Sequence, residues 1–178
     1  MTSLDPDRPF VPVRIAVMTV SDTRTADDDT SGDILTARLG DAGHELADRA
    51  IVKDDVDDIV AQLREWIAAP DIDVVIATGG TGLTGRDVTP EAFHSVYEKE
   101  IDGFSVLFHQ ISAQKIGTST VQSRATAGVA NGTYLFALPG SPGACKDGWD
   151  GILKSQLDSR HRPCNFVEIM PRLKEHLA

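Results

Sequence analysis

A short apolar stretch, Val74-Val-Ile-Ala-Thr78, runs without a break into Gly79-Gly-Thr-Gly-Leu-Thr-Gly85. Unbroken runs of this kind are strands covered on both faces. A glycine-rich turn at the carboxyl end of such a strand lets backbone N–H groups converge on an anion. Arg14-Ile-Ala-Val-Met-Thr-Val20 repeats the buried-strand pattern, and Glu45–Val52, with more polar positions, reads as an edge strand. Between those two a helix should open near Ser31 or Gly32, turn Ile34, Leu35 and Leu39 inward, and stop at Gly43. Val56, Ile59, Val60, Leu63 and Ile67 form a second helical stripe, capped by Asp54 or Asp55 and ended by Pro70.

Thr89-Pro90-Glu91 has the form of N-cap, N1 proline and N2 acid, with Phe93, Val96 and Tyr97 on one side of the helix that follows. Phe104, Leu107, Phe108 and Ile111 give another stripe after a break at Gly103. Asn131-Gly132 between Thr126–Ala130 and Thr133–Leu138 marks a hairpin, and Pro139-Gly-Ser-Pro-Gly143 opens a helix bearing Cys145, Trp149, Ile152 and Leu153. Strands alternating with amphipathic helices indicate an α/β fold, a mostly parallel sheet covered on both faces, to which the hairpin adds an antiparallel edge. Ligands of such sheets bind at the carboxyl ends of the strands, so the loops after Val20, Val52, Thr78 and Leu138 should converge on one rim.

The 178 residues suit one domain, 13–178, and the leader 1–12, with prolines at 6, 9 and 12, reads as a flexible N-terminal arm. Two cysteines without CxxC spacing, Cys145 and Cys164, fit a reducing cytoplasm and argue against a disulfide framework or zinc knuckle. No apolar run reaches the roughly 20 residues of a membrane span, and no signal-peptide stretch opens the chain. Lys and Arg number 17 against 27 Asp and Glu, a formal net charge of -10, so the global field repels nucleic acid and anionic membrane. Any anionic ligand must be held by local chemistry.

The glycine loop matches two familiar motifs incompletely. Gly80, Gly82 and Gly85 satisfy the dinucleotide fingerprint, but the acid it requires about 20 residues on falls near Glu100–Asp102, in a helix or turn pattern. Gly80 to Gly85 also begins a phosphate-binding P-loop, yet Arg86-Asp87 stands where Lys-Ser/Thr is needed. An acid beside an anion site repels the ligand unless a cation lies between them. Asp87 is therefore either a surface or capping residue or a Mg²⁺ ligand shared with phosphate oxygens. Asp54 is a helix cap or a second ligand of the same metal. Pro139-Gly140-Ser141 is a helix entry or the seat of a second anionic or pterin-like group. Asp27–Asp29 lacks the alternating ligands of a calcium loop and reads as solvated. His44-Glu45 is followed by Asp48 where a zinc helix would place its second histidine. Trp66, Tyr97 and Trp149 read as core.

Thr78-Gly-Gly-Thr-Gly82 continued by Arg86-Asp-Val-Thr-Pro90, with Asp29-Thr-Ser-Gly32, Gly117-Thr-Ser-Thr-Val-Gln-Ser-Arg124, Leu138-Pro-Gly-Ser141 and Arg162-Pro-Cys-Asn165, resembles the MoaB/MogA family of molybdenum cofactor biosynthesis proteins, in order and spacing, from about Val11 to Phe166. The Gly117–Arg124 segment and the Arg-Pro-Cys-Asn tail are more similar to the MoaB branch. The resemblance implies a three-layer αβα fold, molybdopterin binding, and a homo-oligomer, a hexamer in the MoaB branch rather than the trimer of the MogA branch. In active members it further implies Mg²⁺-ATP-dependent adenylylation of molybdopterin. The family's two important aspartates align with Asp54 and Asp87, its glycine loop with Gly79, Gly80, Thr81 and Gly82, and its Pro-Gly loop with Pro139, Gly140 and Ser141. Ser21 and Asp22, on the loop after the first long strand, join Arg86 as further substrate-binding candidates.

On this reading Asp54 and Asp87 hold Mg²⁺ on the triphosphate, backbone N–H groups and Thr81 grip one phosphate, and Arg86 and Lys53 offset charge at the rim. Two other classes stay open: a non-catalytic molybdopterin carrier of the same pathway, and a nicotinamide or flavin oxidoreductase using the Gly80–Gly85 fingerprint.

Overall fold

The computed structural model describes residues 3–177; Met1 and Thr2 of the expected arm and Ala178 of the expected domain lie outside the described residues. In chain order the elements are β1 (Ser3–Leu4), β2 (Arg14–Val20), α1 (Thr30–Asp41), β3 (Glu45–Val52), α2 (Val56–Ala68), β4 (Val74–Thr78), α3 (Thr89–His94), β5 (Lys99–Glu100), α4 (Asp102–Ile116) and a 3₁₀ turn, Gly117–Gln122. There follow β6 (Thr126–Ala130), β7 (Thr133–Leu138), α5 (Pro142–Gly148), a π-turn, Trp149–Leu153, α6 (Lys154–Gln156), β8 (His161–Arg162) and α7 (Phe166–Ile169).

Six strands form one sheet in the order β3-β2-β4-β7-β6-β5. The first four are parallel, whereas β6 and β5 run antiparallel to their neighbours. Alternation along each strand divides the core in two, as the pleat requires. Ile15 and Val17 of β2 pack with Leu35, Phe104, Phe108 and Trp149 from α1, α4 and the π-turn. Ala16 and Met18 pack on the other face with Ile59, Leu63, Trp66 and Phe93 from α2 and α3. The result is the expected three-layer αβα arrangement. No described helix is long and apolar enough to cross a membrane.

Several expectations shift at their edges. Asp55 rather than Asp54 caps α2, accepting from the amides of Asp57 and Asp58. Thr89 is the first residue of α3 and not its cap, because its hydroxyl donates instead to the Gly79 carbonyl at 2.8 Å. Gly103 lies inside α4, and Leu107 is 41% exposed instead of facing the core. The described part of the arm is tied down: β1 pairs antiparallel with β8, Asp5 accepts from Arg162 at 3.0 Å, and Phe10 packs on His44 with ring centroids 5.2 Å apart.

Candidate functional site

The carboxyl ends of β2, β3, β4 and β7 meet at one rim, as parallel strands in register must. Ser21 N–H donates to the Val52 carbonyl at 2.8 Å, and Gly79 N–H donates to Leu138 at 3.0 Å. A cleft of about 240 Å³ opens there, walled by Val20, Ser21, Asp54, Thr78, Gly79, Gly80 and Gly140, with Arg24, Asp29 and Ser31 closing its other side.

Gly79 and Gly80 carry φ of +103° and +65°. A Cβ on Gly79 would lie 2.2 Å from the Val20 carbonyl oxygen, and one on Gly80 would lie 2.3 Å from Thr89 Oγ1 and 3.1 Å from Asp54 Oδ1. Backbone thus approaches backbone at a distance only glycine permits. Among the described residues the N–H groups of Gly80, Thr81 and Leu83 find no hydrogen-bond partner, while that of Gly82 faces the Asp87 carboxylate. Thr81 is buried at 3% exposure. Unpaired amides of neighbouring residues in a turn are the donors from which anion-binding concavities are built.

Asp54 sits beside it. One carboxylate oxygen accepts from Asp22 N–H at 2.9 Å, the Asp22 carboxylate accepts in turn from Asp54 N–H at 3.2 Å, and Asp54 Oδ1 has no partner among the described residues. Burial pushes the Asp54 carboxyl above its ordinary value, and the neighbouring Asp22 and Asp87 charges add to the rise. Asp22 is held low by Arg86, which donates to it twice at 2.9 Å. Arg86 is therefore engaged with Asp22.

Burial also pushes Asp87 up, but the Thr84 hydroxyl and amide, at 2.7 and 2.8 Å, outweigh it together with the Gly82 amide, and Asp87 stays below the ordinary range. Lys53 is exposed. On the β7 side the Pro139 carbonyl accepts from Thr78 Oγ1 at 2.9 Å and the Gly140 carbonyl from Ser31 Oγ at 2.8 Å. Ser141 caps α5, and Ser21 closes its own turn by accepting from Thr23 and Arg24.

No three His, Cys, Asp or Glu side chains gather as a metal cluster among the described residues. Mg²⁺ needs less, because it is commonly held by one or two carboxylates plus substrate phosphates and water. The free Asp54 oxygen against the glycine loop fits that donor set.

Two features were not anticipated. Asp29, expected to be solvated, is 1% exposed: it caps α1 through Gly32 N–H at 3.0 Å and accepts from Thr19 Oγ1 at 2.7 Å and Arg49 Nη2 at 2.8 Å. Burial raises its pKa, and these three donors more than reverse the rise. Replacing Arg49 by Met leaves that carboxylate buried without its cation; the expected loss is about 1.5–3 kcal/mol of stability, read by urea denaturation. The second is Arg124, whose guanidinium braces the glycine loop through the carbonyls of Gly82 and Asp87. Its only sequence signal was its place in the Gly117–Arg124 motif.

A family model described as "Probable molybdopterin binding domain" matches residues 16–159. Molybdenum cofactor biosynthesis protein B of Escherichia coli (strain K12) is 51% identical over 166 residues, covering 93% of this chain and 96% of its own. Among solved structures, one of molybdenum cofactor biosynthesis protein B superposes with a TM-score of 0.85 at 37% identity, covering 94% of this chain and 99% of its own. The tungsten cofactor synthesizing protein MoaB from Pyrococcus furiosus gives 0.72 at 35% identity, covering 81% and 92%.

Proposed function

This chain belongs to the MoaB family of molybdenum cofactor biosynthesis proteins, and from that premise we propose that it binds molybdopterin at the rim and adenylylates it with Mg²⁺-ATP, releasing pyrophosphate. The observation that carries this reading is the unpaired Asp54 oxygen, raised in pKa by burial, beside a loop in which the Gly80, Thr81 and Leu83 amides are free. A carboxylate in that position weakens the binding of a bare anion and strengthens the binding of one that arrives with a divalent cation.

Molybdopterin ends in a phosphate monoester. An oxygen of that group forms the new bond to the α-phosphorus of ATP, the bond from that phosphorus to the α–β bridging oxygen breaks, and the electron pair leaves with pyrophosphate. A phosphate monoester is mostly dianionic at neutral pH, so no strong base is required, and the obstacle is repulsion between two polyanions. The protein's share is placement and neutralisation. Amides of Gly80, Thr81 and Leu83 hold a phosphate, Gly140 and Pro139 bound the opposite wall, and Asp54, with Asp87 behind the loop, would hold Mg²⁺, which supplies charge neutralisation on the triphosphate.

The engaged state of Asp87 and Arg86, each already hydrogen-bonded within the protein, favours a second reading: a carrier that binds molybdopterin without chemistry. Pyrophosphate release from ATP separates the two. Release that requires both molybdopterin and Mg²⁺ is the expected result, and stoichiometric molybdopterin binding without release overturns the enzyme.

We further propose a homo-oligomer, a hexamer rather than a trimer. Val106, Ile116 and Val121 on α4 and the turn after it are 58%, 56% and 73% exposed, aliphatic side chains that a subunit contact would cover. Light scattering should give about six times the chain mass.

A further inference from the structure

Four donors of one residue converge on the glycine loop and its neighbouring helix. Arg124 N–H donates to the Thr81 carbonyl at 3.0 Å, Nε to Gly82 at 2.9 Å, and Nη2 to Asp87 at 2.8 Å, while Nη1 pairs with Glu91 at the start of α3. Because a trans peptide directs its carbonyl and the following N–H in opposite senses, each carbonyl captured by Arg124 aims one amide away from it. Those amides belong to Gly82, Leu83 and Val88. The first faces the Asp87 carboxylate, and the other two have no protein partner among the described residues.

We propose that Arg124 is a positioning residue for anion binding: it draws the carbonyls of Thr81, Gly82 and Asp87 to one side so that the Leu83 and Val88 N–H groups are left free on the other for a phosphate. Its guanidinium is neutralised by Glu91 and committed to backbone oxygens, so its role is not direct contact with the ligand. The residue is firmly based. The preceding Ser123 carbonyl accepts from His109 Nε2 at 3.0 Å, and the following Ala125 is 2% exposed at the foot of β6. A lysine keeps the charge but cannot supply the planar fork that reaches two carbonyls and a carboxylate at once.

The inference rests on the nucleotide-binding reading above, and its test separates the two. Titration calorimetry with ATP and Mg²⁺ is compared for the wild type, Arg124→Met and Arg124→Lys, alongside amide hydrogen exchange over residues 81–88. Loss of a charged hydrogen-bond donor should weaken ATP·Mg²⁺ binding by about tenfold or more in Arg124→Met. Exchange at the hydrogen-bonded Gly82, Thr84 and Asp87 amides should accelerate while exchange in β2 and β4 is unchanged, and Arg124→Lys should not restore affinity. Wild-type affinity in Arg124→Met, or rescue by lysine, overturns the proposal. If the wild type itself binds no ATP·Mg²⁺, the functional reading fails instead, and exchange alone then decides: an Arg124→Met loop as protected as the wild type overturns the bracing role.

Discussion

Replacing Gly79 by alanine should remove about 3–5 kcal/mol of stability, a large share of what a domain of this size possesses. The new Cβ would stand 2.2 Å from the Val20 carbonyl oxygen, and φ at this residue is +103°. Val20 ends a strand paired on both sides, with β3 and β4, and cannot withdraw without breaking the ladder. A urea titration should show a lowered midpoint with an unchanged slope. Gly85→Ala is the internal control, because nothing lies within 4 Å of its Cβ position and its stability should stay close to wild type. Gly80→Val acts differently. Its φ of +65° strains a β-branched side chain too, but the substituent meets side chains, Thr89 Oγ1 at 2.3 Å and Asp54 Oδ1 at 3.1 Å, rather than backbone. It should abolish nucleotide binding, seen as a flat calorimetric titration.

Asp54→Asn should lower molybdopterin-dependent pyrophosphate release by roughly 100-fold or more, the scale on which preorganised charge stabilisation acts, and should raise the melting temperature at pH 7. The sign of the second effect follows from linkage. The folded-state pKa of Asp54 lies above its unfolded value, so the folded protein takes up the proton more readily and ionised Asp54 opposes folding. That opposition is full above the raised pKa and vanishes once the pH falls below the ordinary value of 3.8. The advantage of asparagine should therefore be present at neutral pH and absent in strong acid. Asp87→Asn should show the reverse. Its pKa is depressed by the Thr84 donors, so ionised Asp87 supports folding above the ordinary range and the support is lost as pH falls through the depressed value. Melting curves of both variants at two pH values check the pair, and equal shifts would remove the electrostatic distinction drawn between these carboxylates.

Local pattern carried much of the architecture. The runs Arg14–Val20 and Val74–Thr78 became strands over those residues, and Asn131-Gly132 became a hairpin turn with φ of 47° and 81°, as two left-handed residues demand. What escaped depended on partners distant in sequence. Asp54 and Asp55 are equally able to cap a helix, and the choice is made by Asp22, 32 residues upstream, which holds Asp54 out of the cap. β5 is two charged residues with no apolar signal, and it is a strand only because Glu98 and Ile101 donate to Val129 and Ala127. Arg124 reads as an isolated cation until the loop around Gly82, 42 residues earlier, folds against it. The glycine loop itself was legible because conformational demand at Gly79 and Gly80 is written in residue type.

The strand order has a bearing on synthesis. β7 lies against β4 in the interior of the sheet, yet it follows β4 by more than fifty residues in the chain. A nascent polypeptide that has emerged from the ribosome only as far as Asn131 carries Val74–Thr78 as a bare, largely aliphatic margin with open backbone groups. Such a margin invites pairing with other chains. Truncated translation products ending before Thr133 should therefore be chaperone clients or precipitate, whereas those reaching Leu138 can close the sheet.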